Sequence, residues 1–134
     1  MGTIKFRAKN LDGEWVYGFY VEEDRQTLNG FEKKYLIVND DGHHYVKPET
    51  VGQFTGLYDK DGKEIYKGDI LDILDILQLN HLFCSVYYAQ RKGYWAVDVS
   101  IYDKGIILGY IDRTKLVVVG NIHDNPEILK GGEK

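Results

Sequence analysis

The chain opens on a period-two alternation, Ile4-Lys5-Phe6-Arg7-Ala8, which is the pattern of a half-buried β-strand. Asn10-Leu11-Asp12-Gly13 supplies turn chemistry, and the β-rich run Trp15–Val21 follows it, so the segment predicts a hairpin. Asn29-Gly30 is a second turn signal and precedes a short strand at Tyr35–Val38. Asn39-Asp40-Asp41-Gly42 is a third and leads into His44-Tyr45-Val46. From Val51 the signals crowd together: Val51–Leu57, the turn Asp59–Gly62, a short run at Glu64–Tyr66, then Gly68-Asp69-Ile70. Strands at such close spacing favour a small barrel over a sandwich.

Leu82–Ala89 and Tyr94–Ser100 flank Gln90-Arg91-Lys92-Gly93, a connection ending in Gly, and predict a further hairpin. Leu116–Gly120 is almost purely β-branched and reads as a strand buried on both faces. Asn125-Pro126 ahead of Glu127-Ile128-Leu129 offers an N-cap and a proline at the first helical position, so a single helical turn is expected near the end. In Ile70–Leu79 the acids Asp69, Asp72 and Asp75 recur every three residues, and the segment is read as a strand followed by an irregular or helical turn. Asp103–Lys115 has no regular pattern.

Composition agrees with strands and turns, with 15 Gly but 2 Pro among 134 residues. A chain of this length buries roughly two thirds of its unfolded surface and needs no staples. The apolar fraction of 43% places it among ordinary globular proteins. A net charge of −4 and a pI near 5.5 oppose diffuse attraction to phosphate backbones, which disfavours nucleic acid as a partner. The first residues lack an apolar h-region, Phe6 stands where a myristoylation signal needs Ser or Thr, and Asp72 and Asp75 interrupt the longest apolar stretches. These features predict a cytoplasmic protein with no membrane anchor.

Two strings are specific. GQFTGLYDKDGKEIYKGDIL, from Gly52 to Leu71, and VVGNIHDNPEIL, from Val118 to Leu129, together with Ile4–Ala8, resemble the YopX family found in prophages and phages of mainly Gram-positive bacteria. The resemblance runs in order from near residue 4 to near residue 129. It implies a mainly β fold with a small SH3-type β-barrel over residues 51–134, an N-terminal β-hairpin region over residues 1–50, and one compact unit overall. It implies no catalytic residues. The first string has a physical explanation without chemistry: Asp61-Gly62 gives a tight turn, Ile65 and Tyr66 start a strand, and Gly68-Asp69 opens a sharp bend.

Candidate chemistry is sparse. Asp59-Lys60-Asp61-Gly62-Lys63-Glu64 offers carboxylates in a short loop, but an EF-hand wants Gly at its sixth position and an acid at its twelfth, where this chain has Glu64 and Ile70. Histidines 43 and 44 would point to opposite faces of a strand, and their spacing to His81 and His123 matches no zinc pattern. Asp72 and Asp75 likewise diverge on a strand and make poor paired acids. Cys84, the one cysteine, sits in the apolar run Leu82–Val86 and reads as a small buried hydrophobe. With no phosphate loop and no nucleophile elbow, neither an enzyme nor a cofactor is predicted.

The 11 tyrosines, with Trp15, Trp95 and 5 Phe, point instead to contact surfaces. The leading expectation is a non-enzymatic protein-interaction module that self-associates and meets an unidentified host or phage protein. Its warrants are the tyrosines, the apolar runs Ile106–Leu108 and Leu116–Val119, and open strand edges. The alternative is a nucleic-acid-binding barrel using Tyr87, Tyr88, Arg91, Lys92, Tyr94 and Trp95 on one hairpin.

Overall fold

Turn-forming side chains set the strand boundaries in the computed structural model, which describes residues 4–74, 81–99 and 104–131. Asn10 Oδ1 accepts the backbone N–H groups of Asp12 and Glu14, both at 2.9 Å, and so closes the hairpin between β1 (Phe6–Lys9) and β2 (Trp15–Thr27). The Leu28-Asn29 turn joins β2 to β3 (Gly30–Asn39), and Asn39 Oδ1 accepts from Asp41 N before β4 (Gly42–Tyr45). β5 (Gly52–Tyr58) lies on the other edge of β1 and turns into β6 (Glu64–Tyr66). The remaining strands are β7 (Asp69–Leu74), β8 (His81–Ala89), β9 (Tyr94–Val99), β10 (Lys104–Ile107) and β11 (Leu116–Asn121). A single helical turn, α1 (Glu127–Gly131), follows Pro126 as the sequence predicts.

The strands form two antiparallel sheets, in the orders β4-β3-β2-β1-β5-β6 and β10-β9-β8-β7-β11. Neither sheet closes among the described residues. The SH3-type barrel expected from Val51 onward is therefore not seen among the described residues: β5 and β6 pair into the first sheet, and the second runs open from β10 to β11. No described helix is long and apolar enough to cross a membrane.

By contacts the chain divides into one unit running to Phe54 and another from Thr55. In the first, Ala8, Ile37 and Val46 make a buried cluster, with Phe6, Val16 and Tyr20 packed against it. In the second, Ile65, Leu71, Ile73, Cys84, Val86, Val97, Leu108 and Leu116 make one buried cluster. Leu108 enters it from a 3-10 turn (Leu108–Tyr110) inside the segment with no legible pattern.

Two further expectations are corrected, and a third is met as far as the described residues reach. β2 and β3 continue well past Val21 and begin well before Tyr35, because a polar hairpin can extend without any apolar periodicity to announce it. β11 is an edge strand with β7 as its neighbour, so Val119 is exposed and the strand is not buried on both faces; its pairing slips between Val118 and Gly120. Of Ile70–Leu79, the strand half is observed as β7, while residues 75–80 lie outside the described residues.

Candidate functional site

The predicted contact hairpin forms. β8 and β9 are joined through residues 90–93, where Lys92 N and Gly93 N both donate to Ala89 O, at 3.0 and 2.8 Å. The register places Tyr87 opposite Ala96, Tyr88 opposite Trp95 and Ala89 opposite Tyr94. Because side chains alternate along a strand, Tyr88 and Trp95 share one face while Tyr87 and Ala96 share the other. The Tyr88 and Trp95 rings meet edge to face at 5.0 Å, and Trp95 leans on the buried cluster. On the opposite face Tyr87 reaches across Ala96 to β10, where its hydroxyl occupies the space a side chain would need at Gly105. A side chain at Gly105 would force the Tyr87 ring to move.

A cleft of about 690 Å³ lies at this end of the hairpin, lined by Tyr87, Tyr88, Arg91, Lys92, Tyr94 and Gly105. Trp95, the sixth residue that sequence nominates, stands outside the lining and does core packing. Ala89, Gln90 and Gly105 also line it without having been named, and of these Gly105 lies outside the hairpin, with no local signal to mark it.

Other nominated groups are engaged in the fold. Asp59 is nearly fully buried, and its carboxylate accepts the backbone N–H groups of Asp61 (2.9 Å), Lys63 (2.9 Å) and Val118 (3.0 Å). Burial alone would raise its pKa; the donors from Val118, Lys63 and Asp61, with the Lys63 charge, outweigh that and hold the carboxyl below its ordinary value. Arg113 Nε donates to Asp59 O at 2.7 Å, so the loop tempting a calcium reading is a lock between the β5–β6 turn and β11. At the other family-like string, Asn121 Oδ1 accepts from His123 N and Asp124 N, and Asn121 Nδ2 donates to Asp124 Oδ2. Asp69 Oδ2 accepts Tyr66 N at 2.7 Å.

The histidines behave similarly. His44 Nε2 lies 3.1 Å from Asn39 Oδ1, and His81 Nδ1 lies 2.7 Å from Asp72 Oδ2. No cluster of three or more His, Cys, Asp or Glu side chains suited to a metal occurs among the described residues. The Cys84 thiol is buried, and its pKa is pushed up to about 12, chiefly by that burial, so it is a poor nucleophile at neutral pH.

A second surface was not legible in sequence. From Val21 to Lys33 every residue of the β2–β3 hairpin is exposed, with Leu28 and Phe31 open at its tip. β1 pairs with β2 at Trp15–Gly18, and β4 pairs with β3 at Leu36–Asn39, so between these limits the arm is two-stranded among the described residues. Charged side chains decorate it: Lys33–Glu22 at 3.5 Å, Arg25–Glu23 at 3.3 Å and Lys34–Glu32 at 3.0 Å. Exposed pairs of this kind add little stability. At its base the Tyr20 hydroxyl donates to Glu22 Oε2, and burial followed by the Glu22 carboxylate raises the phenol above its ordinary pKa, so it stays a donor.

The family described as YopX protein matches residues 5–130. The chain belongs to the YopX family. Among solved structures it is similar to protein EF1440 from Enterococcus faecalis, at 25% identity and a TM-score of 0.53, covering 96% of this chain and 99% of that one. It is also similar to protein yopX from Bacillus subtilis, at 21% identity and a TM-score of 0.55, covering 96% and 97% of the two chains. No curated protein matches. In this YopX member the strings Gly52–Leu71 and Val118–Leu129 coincide with the side-chain-to-backbone locks built by Asp59, Asp69 and Asn121. Those bonds give the strings a structural role.

Proposed function

We propose that this YopX-family chain is a non-enzymatic protein-interaction module that self-associates, working in the cytoplasm of a bacterial host in a phage or prophage accessory role. The observation that carries the reading is the β2–β3 arm, which exposes both faces and carries Leu28 and Phe31 at its tip. A free two-stranded hairpin is marginal in water, whereas three or more strands are stable together, so a chain built this way gains by pairing. An exposed apolar tip such as Leu28 and Phe31 is also a feature that proteins otherwise cover.

Light scattering behind size exclusion tests this. The expected result is a mass above the 15.5 kDa of one chain at concentrations near 100 μM, where modest interfaces are filled. A mass that stays at one chain there overturns it.

The cleft beside Gln90–Gly93 favours a second reading, a nucleic-acid contact, because Arg91 and Lys92 share it with three tyrosines. Pull-down from induced host cells with and without nuclease separates the two, since a nucleic-acid tether is lost on digestion and a direct protein contact is kept.

A further inference from the structure

The direction of the backbone groups along β2 follows from two hydrogen bonds. Val46 N donates to Tyr35 O at 2.9 Å, so Tyr35 turns its N–H and C=O away from β2. Tyr35 stands opposite Glu22, and in an antiparallel ladder both members of such a pair point outward; Glu22 therefore directs its groups to the far edge of β2. Asn10 N donates to Glu14 O on that same side, which fixes the same parity from the other end of the strand. Asp24 and Gln26 share the parity of Glu22. Beyond Gly18 no described strand covers this edge, so Glu22, Asp24 and Gln26, following Tyr20 at the same parity, present outward backbone groups in a row.

A two-fold axis through an antiparallel pair must set one residue opposite its own copy, because hydrogen-bonded and non-hydrogen-bonded positions cannot exchange. Centred on Glu23, the edge would oppose Glu22 to Asp24 of the second copy, acid to acid. Centred on Arg25, it would oppose two guanidinium groups and leave Glu23 facing a threonine. Centred on Asp24, Glu23 faces Arg25 of the second copy, Glu22 faces Gln26, and Val21 faces Thr27, each pair occurring twice.

The outer strands complete the pattern. Arg25 lies beside Glu32 on β3, Glu23 beside Lys34, and Asp24 beside Lys33. Across four strands the Asp24-centred register reads Glu32, Arg25, Glu23 of the second copy, Lys34 of the second copy, alternating in sign throughout. The two central Asp24 carboxylates oppose each other directly, and each is flanked by Lys33 of its own chain.

We infer that the free edge of β2 from Glu22 to Gln26 pairs antiparallel with the same edge of a second copy, centred on Asp24, making one four-stranded sheet from two arms. About six backbone hydrogen bonds form across the junction. The inference rests on the self-association reading and names its surface.

Charge reversal and mixing test it by light scattering on the full chain. Glu23→Arg alone sets cation against cation in both cross-strand pairs of the junction, and Arg25→Glu alone sets acid against acid. Each single variant should self-associate about tenfold more weakly, as two cross-strand pairs lose their attraction. Mixing the two variants in equal amounts restores opposite charges in both rows, and the mass should return toward that of the original chain. Both substitutions are exposed, so thermal midpoints should hold. Association that persists unchanged in either single variant, or that mixing does not restore, overturns the arm as the surface while leaving self-association intact. A single-chain mass for the unaltered protein at about 100 μM overturns both.

Discussion

Hairpins β2–β3 and β8–β9 are both antiparallel ribbons, but the outer part of the first is polar and uncovered while the second carries apolar side chains into a core. In β8–β9 one face carries Cys84, Val86 and Val97 into a buried cluster, and Ala96 is buried on the other. In the outer part of β2–β3 neither face is covered. A ladder bond therefore does unequal work in the two: burial of apolar area stabilises at roughly 25 cal/mol per Å², while an exposed ladder largely exchanges protein bonds for water bonds. Stability is concentrated where the faces are covered, and the uncovered hairpin is left available for contact.

The largest effect should come from emptying the covered side. Leu71 faces Cys84 across β7–β8 and is fully buried, so Leu71→Ala should lower unfolding free energy by about 2–5 kcal/mol in urea denaturation. A loss near zero would mean the cluster does not carry the second unit.

Asp59→Ala should come next. It leaves the N–H groups of Asp61, Lys63 and Val118 without their acceptor, at a cost of about 1 kcal/mol or more for a donor that water does not reach. The acid side sharpens this. The carboxyl is held below its ordinary value, so its stabilisation is complete above the unfolded-state value of about 3.9 and is lost as pH falls through it toward the lower folded value. Asp59→Asn should therefore show a shallower loss of stability below about pH 4 than the unaltered chain, and equal slopes would contradict the lock.

Gly62 sits at φ +84° in the Asp59–Gly62 turn, a region a β-branched residue resists. Gly62→Val should cost more than about 1 kcal/mol, read as a lowered thermal midpoint. The smallest effect belongs to the arm: Phe31→Ser at its exposed tip should move unfolding free energy by no more than about 0.5 kcal/mol in dilute solution. A loss comparable with Leu71→Ala would erase the contrast between the hairpins.

Much of this fold is legible in residues. Asn10-Leu11-Asp12-Gly13, Asn29-Gly30 and Asp61-Gly62 announce turns through side-chain acceptors and tolerance of positive φ, and the structure turns at each. The length of the arm is not legible, because Glu22-Glu23-Asp24-Arg25-Gln26-Thr27 is polar at every position and period two appears only where one face is buried. Sheet membership is not legible either: Leu116-Val117-Val118-Val119 has the composition of an inner strand, yet its place at an edge depends on which strands pair elsewhere. The contact hairpin is half legible. Tyr87, Tyr88, Arg91, Lys92 and Tyr94 do gather at one cleft, but Trp95 packs on the core, and Gly105 joins from a neighbouring strand.

Amide hydrogen exchange on dilute and concentrated samples bears most directly on the division of labour between the covered core and the open arm. Amides of Leu71, Ile73 and Val97 should exchange slowly at both concentrations, as their strands open only with the unit as a whole. The outward amides of Glu22, Asp24 and Gln26 should exchange quickly when dilute and gain protection when concentrated. Protection of those three amides that is already core-like in dilute solution, or that stays absent at high concentration, would contradict the account.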